Sequence, residues 1–176
     1  MNKKVMSPEC LKPKSESPNQ KDNDHGLVHL LTKRNETLAL AESCTGGFIA
    51  NQITNVSGAS KMFKGGIVAY SNEAKEKFLG VRSTTLKKHG AVSKEVAAEM
   101  AGGARKQFGA DYAIAVTGIA GPTGGTKAKP TGTVFIAVAG AAGILVERRL
   151  NRFSREKFKE ITARQALELL KKNILP

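Results

Sequence analysis

Tryptophan is absent, aromatic residues make up only 5% of the 176 positions, and there are three histidines and two cysteines. Each scarcity excludes something. So few aromatic rings leave little on which nucleic-acid bases could stack. Two cysteines, Cys10 and Cys44, are too few for a disulfide framework. His25 and His29 stand four apart, as a metal-binding pair on a helix would, but no Cys/His set with zinc spacing accompanies them, and no metal site is expected. No apolar run approaches the ~20 residues that span a bilayer, so no membrane association is expected. Nor is there an apolar segment of signal-peptide length, which makes a cytosolic location the expectation. Acidic residues are also few, 15 against 28 lysines and arginines, for a formal net charge of +13. That balance fits a nucleic acid, a phosphorylated ligand or simply a basic surface. The lysines are scattered, without an RNP motif or a long basic stripe, which argues against nucleic acid as the partner.

What is present is enough apolar residue, 40%, for one domain with a core. Residues 1–22, rich in Pro, Ser and charge, read as a disordered basic tail, and 23–176 as the domain. A helix is expected from His25 to Lys33, with Leu27, Leu30 and Leu31 on one side. A strand follows at Thr37–Glu42, then a helix from Gly47 to Thr54. "GGIVAYS", 65–71, reads as a second, buried strand, and a polar helix starts near Asn72. "VRSTTLKKHG" reads as a short helix stopped by Gly90. The clearest helix follows Ser93, a candidate N-cap, with Glu95 and Glu99 early and Arg105 and Lys106 late. "ADYAIAVTG" is an apolar strand, and "GTVFIAVAG" and "ILVERRL" form a hairpin candidate through "AAG". The last helix spans about Arg155–Lys172. Strands alternating with helices imply an α/β fold, a three-layer α/β/α sandwich. The hairpin makes its sheet mixed, though mostly parallel. Apolar helices on so small a domain point to a homo-oligomer.

Three polar clusters sit at expected strand ends, where open α/β sheets bind ligands. The first is "AESCTGG", 41–47. Ser43, Cys44 and Thr45 end a strand there, and Gly46 and Gly47 let a ligand or backbone approach closely. The amides that follow form a helix N-terminus suited to a phosphate or an oxyanion, or simply an N-cap packed on the sheet. The second is "VAYSNEAK", with Tyr70, Ser71, Asn72 and Lys75. Lys75 lies one turn into a helix, near its positive end, where a lowered pKa would let it act as a general base; a solvated surface lysine is the alternative. The third is "TGIAGPTGGTKAKPTGTV", 117–134, too long and glycine-rich for a mere connector, and neither a P-loop nor a Gly-x-Gly-x-x-Gly turn. No histidine lies in these clusters, so a Ser-His-Asp triad has no evident base. Hydrolysis would then fall to a Ser-Lys pair, with Ser43 and Lys75 best placed and Cys44 a rival nucleophile.

Together "AESCTGG", "VAYSNEAK…LGV…L…HGAVS" and "VTGIAGPTGG…KPTGTV" resemble the C-terminal domain of the CinA family, from about His25 to Leu170. Stand-alone members of that family are nicotinamide-nucleotide amidases. The resemblance implies a serine amidohydrolase that needs no metal or cofactor and converts nicotinamide mononucleotide to nicotinate mononucleotide and ammonia, within pyridine nucleotide recycling. It makes Ser43 the nucleophile, Lys75 the base, and Tyr70 a group that lines the substrate or passes a proton. Thr45, Gly46, Gly47, Asn72, Thr117, Gly118, Ala120 and Gly121 become substrate-side residues. Many members carry "GDR" before the last helix. Here the stretch is "NRFSREKFKE", which makes Arg155 the expected phosphate or ribose contact and Arg152 the alternative. The full-length architecture also carries an N-terminal domain similar to molybdopterin-binding proteins. A 22-residue tail is too short to replace it, so that domain's pyrophosphatase activity is not expected. The other classes kept open are a catalytically inactive nucleotide-binding or competence-associated module and a DNA-binding protein.

Overall fold

The computed structural model describes residues 18–175, with side chains from Gly26 onward. Most of the expected tail, Cys10 included, and the side chain of His25 in the expected metal pair therefore lie outside the described residues. Helix α1 (Pro18–Arg34) starts seven residues before the expected helix. It is followed by β1 (Leu38–Glu42), α2 (Phe48–Thr54) and β2 (Phe63–Val68). Three helices come next, α3 (Asn72–Leu79), α4 (Ser83–His89) and α5 (Lys94–Phe108). Strands β3 (Tyr112–Gly118), β4 (Thr133–Gly140) and β5 (Gly143–Leu150) and helix α6 (Arg155–Ile174) complete the chain. Ser93 caps α5 as expected, accepting from the Val96 amide.

The five strands form one sheet in the order β2-β1-β3-β4-β5. β1 pairs in parallel with β2 and β3, while β4 runs antiparallel to both β3 and β5. Only β4 is reversed, so the sheet is mixed and mostly parallel in direction. The crossover from β1 to β2 runs one way across the sheet and that from β2 to β3 runs back the other way, so two right-handed crossovers put their helices on opposite faces. Accordingly α2, with α1 and α6, covers one face, and α3, α4 and α5 cover the other. The expected α/β/α sandwich is what the chain forms. The expected buried second strand is different: β2 is an edge strand, alternately half-buried and exposed. Its apolar run reads like an interior strand, but its position follows from the crossovers, not from its own residues.

Strand periodicity sends alternate residues to opposite faces, and the two faces differ in side-chain size. Leu38, Leu40, Ile114, Val116, Val134, Ile136 and Val138 pack against Phe158, Leu170 and Leu31 on one side. Ala39, Ala41, Ala113, Ala115, Ala137 and Ala139 face Met100, Ala97, Ala101 and Ala104 of α5 on the other. Small side chains let α5 lie close. A Cβ on Gly103 would fall 1.8 Å from the carbonyl oxygen of Leu79, so α3 and α5 meet backbone to backbone. No helix among the described residues is long and apolar enough to cross a membrane.

Candidate active site

The parallel strands β1, β2 and β3 end on one side of the sheet, where the connection leaving β1 goes to one face and that leaving β2 to the other. Such a switch point opens a crevice beyond the strand ends. A cleft of about 270 Å³ lies there, lined by Ser43 and Cys44 after β1, Tyr70, Asn72 and Lys75 after β2, and Thr117–Gly121 at the end of β3 and just beyond it. Ala91, Val92, Thr123, Gly124 and Arg155 close its sides.

At its floor the Nζ of Lys75 lies 3.1 Å from the Oγ of Ser43. Ser43 continues the small face of β1, on the side where α3 packs, so its hydroxyl points toward the lysine. Ser71 starts α3 by accepting from the Ala74 amide at 3.1 Å, which brings residue 75 inward after one turn. Lys75 is a single percent exposed, and Nζ also donates to the carbonyl oxygens of Ala69 (2.9 Å), Ser71 (3.4 Å) and Tyr70 (3.5 Å). Among the described residues no carboxylate comes within ion-pair distance of it. Burial of a charge without a counter-ion disfavours the ammonium, and it holds Lys75 below the ordinary lysine range despite opposing pulls from Cys44 and Glu73. A neutral amine has two hydrogens and one lone pair. With the hydrogens on two of the carbonyls, the lone pair is left for the Ser43 hydroxyl.

Cys44 takes the opposite parity. It sits in the large-side-chain core with Ile49 and Phe158, and burial pushes its thiol up to about 12. Burial thus disfavours the reactive thiolate, which argues against Cys44 as the nucleophile.

The N-terminus of α2 differs from the expectation. Its amides already hold an anion, and that anion is the protein's own. The buried carboxylate of Glu42 accepts from Gly47 (3.0 Å), Ile49 (3.1 Å) and Ala50 (2.8 Å), while the Gly46 amide donates to the Ser43 carbonyl. Gly46 and Gly47 both adopt positive φ, which is why glycine stands at each. Thr45, Gly46 and Gly47 do not line the cleft. Of the expected anion site at 45–47, the Gly47 amide is therefore taken by Glu42 and the Gly46 amide by the Ser43 carbonyl. Sequence reasoning passed over Glu42; the available signal was an acid just before a helix start, the position that favours a carboxylate. Among the described residues the amides of Cys44 and Thr45 donate to no protein acceptor, and neither do those of Ala120 and Gly121.

The remaining expected residues gather at the cleft. Thr117 continues the small face of β3 beside Ser43 and donates to the Ala91 carbonyl at 2.8 Å, tying the α4–α5 connection to the site. Tyr70 is 63% exposed at the mouth, and its hydroxyl accepts from Arg155 at 3.4 Å. Arg155 lines the cleft, and Arg152 does not. No group of metal-binding side chains occurs among the described residues.

Comparison with known proteins agrees with this architecture. The family model of the CinA C-terminal domain matches residues 20–174. A CinA-like protein of Geobacter sulfurreducens is 49% identical over 86% of this chain and 37% of its own length. One from Thermotoga maritima is 54% identical over 68% of this chain and 29% of its own. The chain thus spans less than two fifths of the length of the curated relatives it matches. Among solved structures, the competence/damage inducible protein CihA of Agrobacterium tumefaciens superposes with a TM-score of 0.87 at 37% identity, covering 91% of this chain and 98% of that one. A CinA superfamily protein of Escherichia coli gives 0.86 at 31% identity, covering 97% and 100%. The chain belongs to the CinA C-terminal domain family.

Proposed function

Starting from membership of that family, we propose that the chain is a serine-lysine amidohydrolase that converts nicotinamide mononucleotide to nicotinate mononucleotide and ammonia. The observation that carries this reading is the buried Lys75 amine 3.1 Å from the Ser43 hydroxyl at the floor of a cleft. Neutral Lys75 takes the Ser43 proton as the oxygen attacks the carboxamide carbon. The free amide of Cys44, on the cleft wall next to the nucleophile, is the donor placed to stabilise the oxyanion, usually a large contribution in acyl transfer. The ammonium of Lys75 returns its proton to the departing nitrogen, and ammonia leaves. Water then attacks the nicotinoyl ester, giving up its proton through Lys75, and the Ser43 oxygen takes that proton back as carboxylate is released. Asn72, Thr117, Gly118 and the amides of Ala120 and Gly121 line the path to the mouth, where Arg155 offers a cation to the phosphate and Tyr70 a ring and a hydroxyl.

The test is ammonia release from nicotinamide mononucleotide by the purified chain and by Ser43→Ala, with and without EDTA. Turnover lost only in the mutant, and indifferent to EDTA, supports the proposal. Wild-type turnover in Ser43→Ala would sink it. Nucleotide binding without ammonia release by the native chain would instead mark a binding module.

A further inference from the structure

Two walls of the cleft come from segments that are distant in the chain. Ala91 and Val92 belong to the connection between α4 and α5, and Thr117–Gly121, Thr123 and Gly124 to the end of β3 and the long loop after it. That loop is closed at its base: the Ile119 amide donates to the Thr133 carbonyl at 2.8 Å, and the Gly132 amide to the Ile119 carbonyl at 2.7 Å. Further out, the Thr126 amide donates to the Lys129 carbonyl at 2.9 Å, and the Lys129 amide to the Thr126 hydroxyl at 3.1 Å. The two arms also pack directly on each other. A Cβ on Gly121 would fall 2.4 Å from the Thr131 side chain, and one on Gly125 2.6 Å from the Thr131 amide nitrogen. A loop so tied moves as one piece, and whatever holds residue 129 also holds the arm that bears Ala120 and Gly121.

Residue 129 is held by its own side chain. The Nζ of Lys129 donates to the carbonyl of His89, the last residue of α4, at 2.7 Å. Carbonyls at a helix C-terminus lack a partner within the helix and carry its partial negative charge, so a lysine suits them. Nζ lies over Gly90 as well, 3.8 Å from where a Cβ would stand. Among the described residues no carboxylate comes within ion-pair distance of Lys129. Thr117 makes a second bond between the same two walls, to the Ala91 carbonyl, and Arg148 of β5 steadies the loop from its other side through the Ala128 carbonyl at 3.0 Å. We propose that Lys129 is a positioning residue: by gripping the His89 carbonyl it fixes the 119–132 loop against the α4–α5 connection, and so aims the Ala120 and Gly121 amides into the cleft. The inference rests on the amidase reading, in which those amides hold the substrate away from the bond that breaks. Contacts made equally in the ground and transition states act on KM and not on kcat.

The experiment compares the full chain with Lys129→Met, which keeps the stem and removes the donor, and with Lys129→Arg, which keeps a donor. Lys127→Met, at an exposed position of the same loop, is the control. Hydrogen exchange over 118–133 is measured without substrate. In Lys129→Met the bonded amides of Ile119, Thr126 and Gly132 should exchange roughly tenfold faster or more. KM for nicotinamide mononucleotide should rise roughly tenfold, the worth of one charge-assisted bond, with kcat within about threefold. Lys129→Arg should recover both readouts to within about threefold, and Lys127→Met should change neither. Native exchange in Lys129→Met would overturn the proposal, even beside a raised KM, because a lysine that touched the phosphate directly would give that pair of results. Faster exchange at native KM, or a fall in kcat alone, would overturn it as well. If the native chain releases no ammonia, the amidase reading fails by itself, and the exchange rates still decide whether Lys129 holds the loop.

Discussion

The two faces of the sheet are made from the same three central strands, yet one is leucine, isoleucine and valine and the other alanine. On the large face, side chains fill the space beneath α1, α2 and α6. On the small face, α5 comes close enough that Gly103 touches the Leu79 carbonyl region directly. The difference extends past the strand ends. Glu42 and Cys44 take the side of α2, and Ser43 and Thr117 take the side of α3 and α5. One step along β1 therefore separates a reactive hydroxyl beside a buried amine from a thiol sunk in the core. On the proposed mechanism, strand parity and not intrinsic reactivity is what makes Ser43 rather than Cys44 the nucleophile.

The sharpest way to break this comparison is to exchange its two members. Ser43→Ala should lower kcat/KM on nicotinamide mononucleotide by about a thousandfold or more, equivalent to roughly 4 kcal/mol. Cys44→Ala should leave it within about threefold. Equal losses in a steady-state assay would show that parity does not assign the nucleophile. On the large face, Leu40→Ala should cost about 2–5 kcal/mol of stability by denaturant unfolding, from lost burial and a cavity; a cost near zero would mean that the face is loosely packed. On the small face the adjacent glycines of α5 should part company. Gly103→Ala should cost about 3 kcal/mol because its Cβ meets backbone that cannot rotate away. Gly102→Ala, whose Cβ would only touch Ile144 at 3.4 Å, should stabilise by about 0.5–1 kcal/mol through helix propensity. Similar outcomes at both would contradict the close approach of α3 and α5. The mildest effect is read against pH. On the proposed mechanism the base, Lys75, must be neutral, so turnover should rise with pH through its transition, and burial places that rise below the ordinary lysine value of about 10.4. A rise that appears only near 10.4 would mean that the lysine is solvated during turnover.

Much of this was legible in the chain itself. Alternating apolar runs and helix signals mark β1, β3, the β4–β5 hairpin and α2 through α6 to within a few residues, because those patterns are local. Ser43, Lys75, Tyr70, Asn72, Thr117, Gly118, Ala120 and Gly121 fall in polar clusters at strand ends, Arg155 follows only from the family resemblance, and all of them line one cleft. The internal anion at α2 was not legible, since Glu42 reads equally well as the last residue of a strand. The exposure of β2 was legible only in part: Lys64 is a residue that edge strands carry, while the apolar residues around it fit an interior strand.

The sequence by itself determined which residues could carry chemistry and that they sit where strands end, because hydrophobic period and turn residues act over a few positions. Only the tertiary structure decided which of them meet. Residues 43 and 75 come within 3.1 Å of each other because crossovers place β2 and β3 on either side of β1, and because burial strips water from the lysine that arrives there.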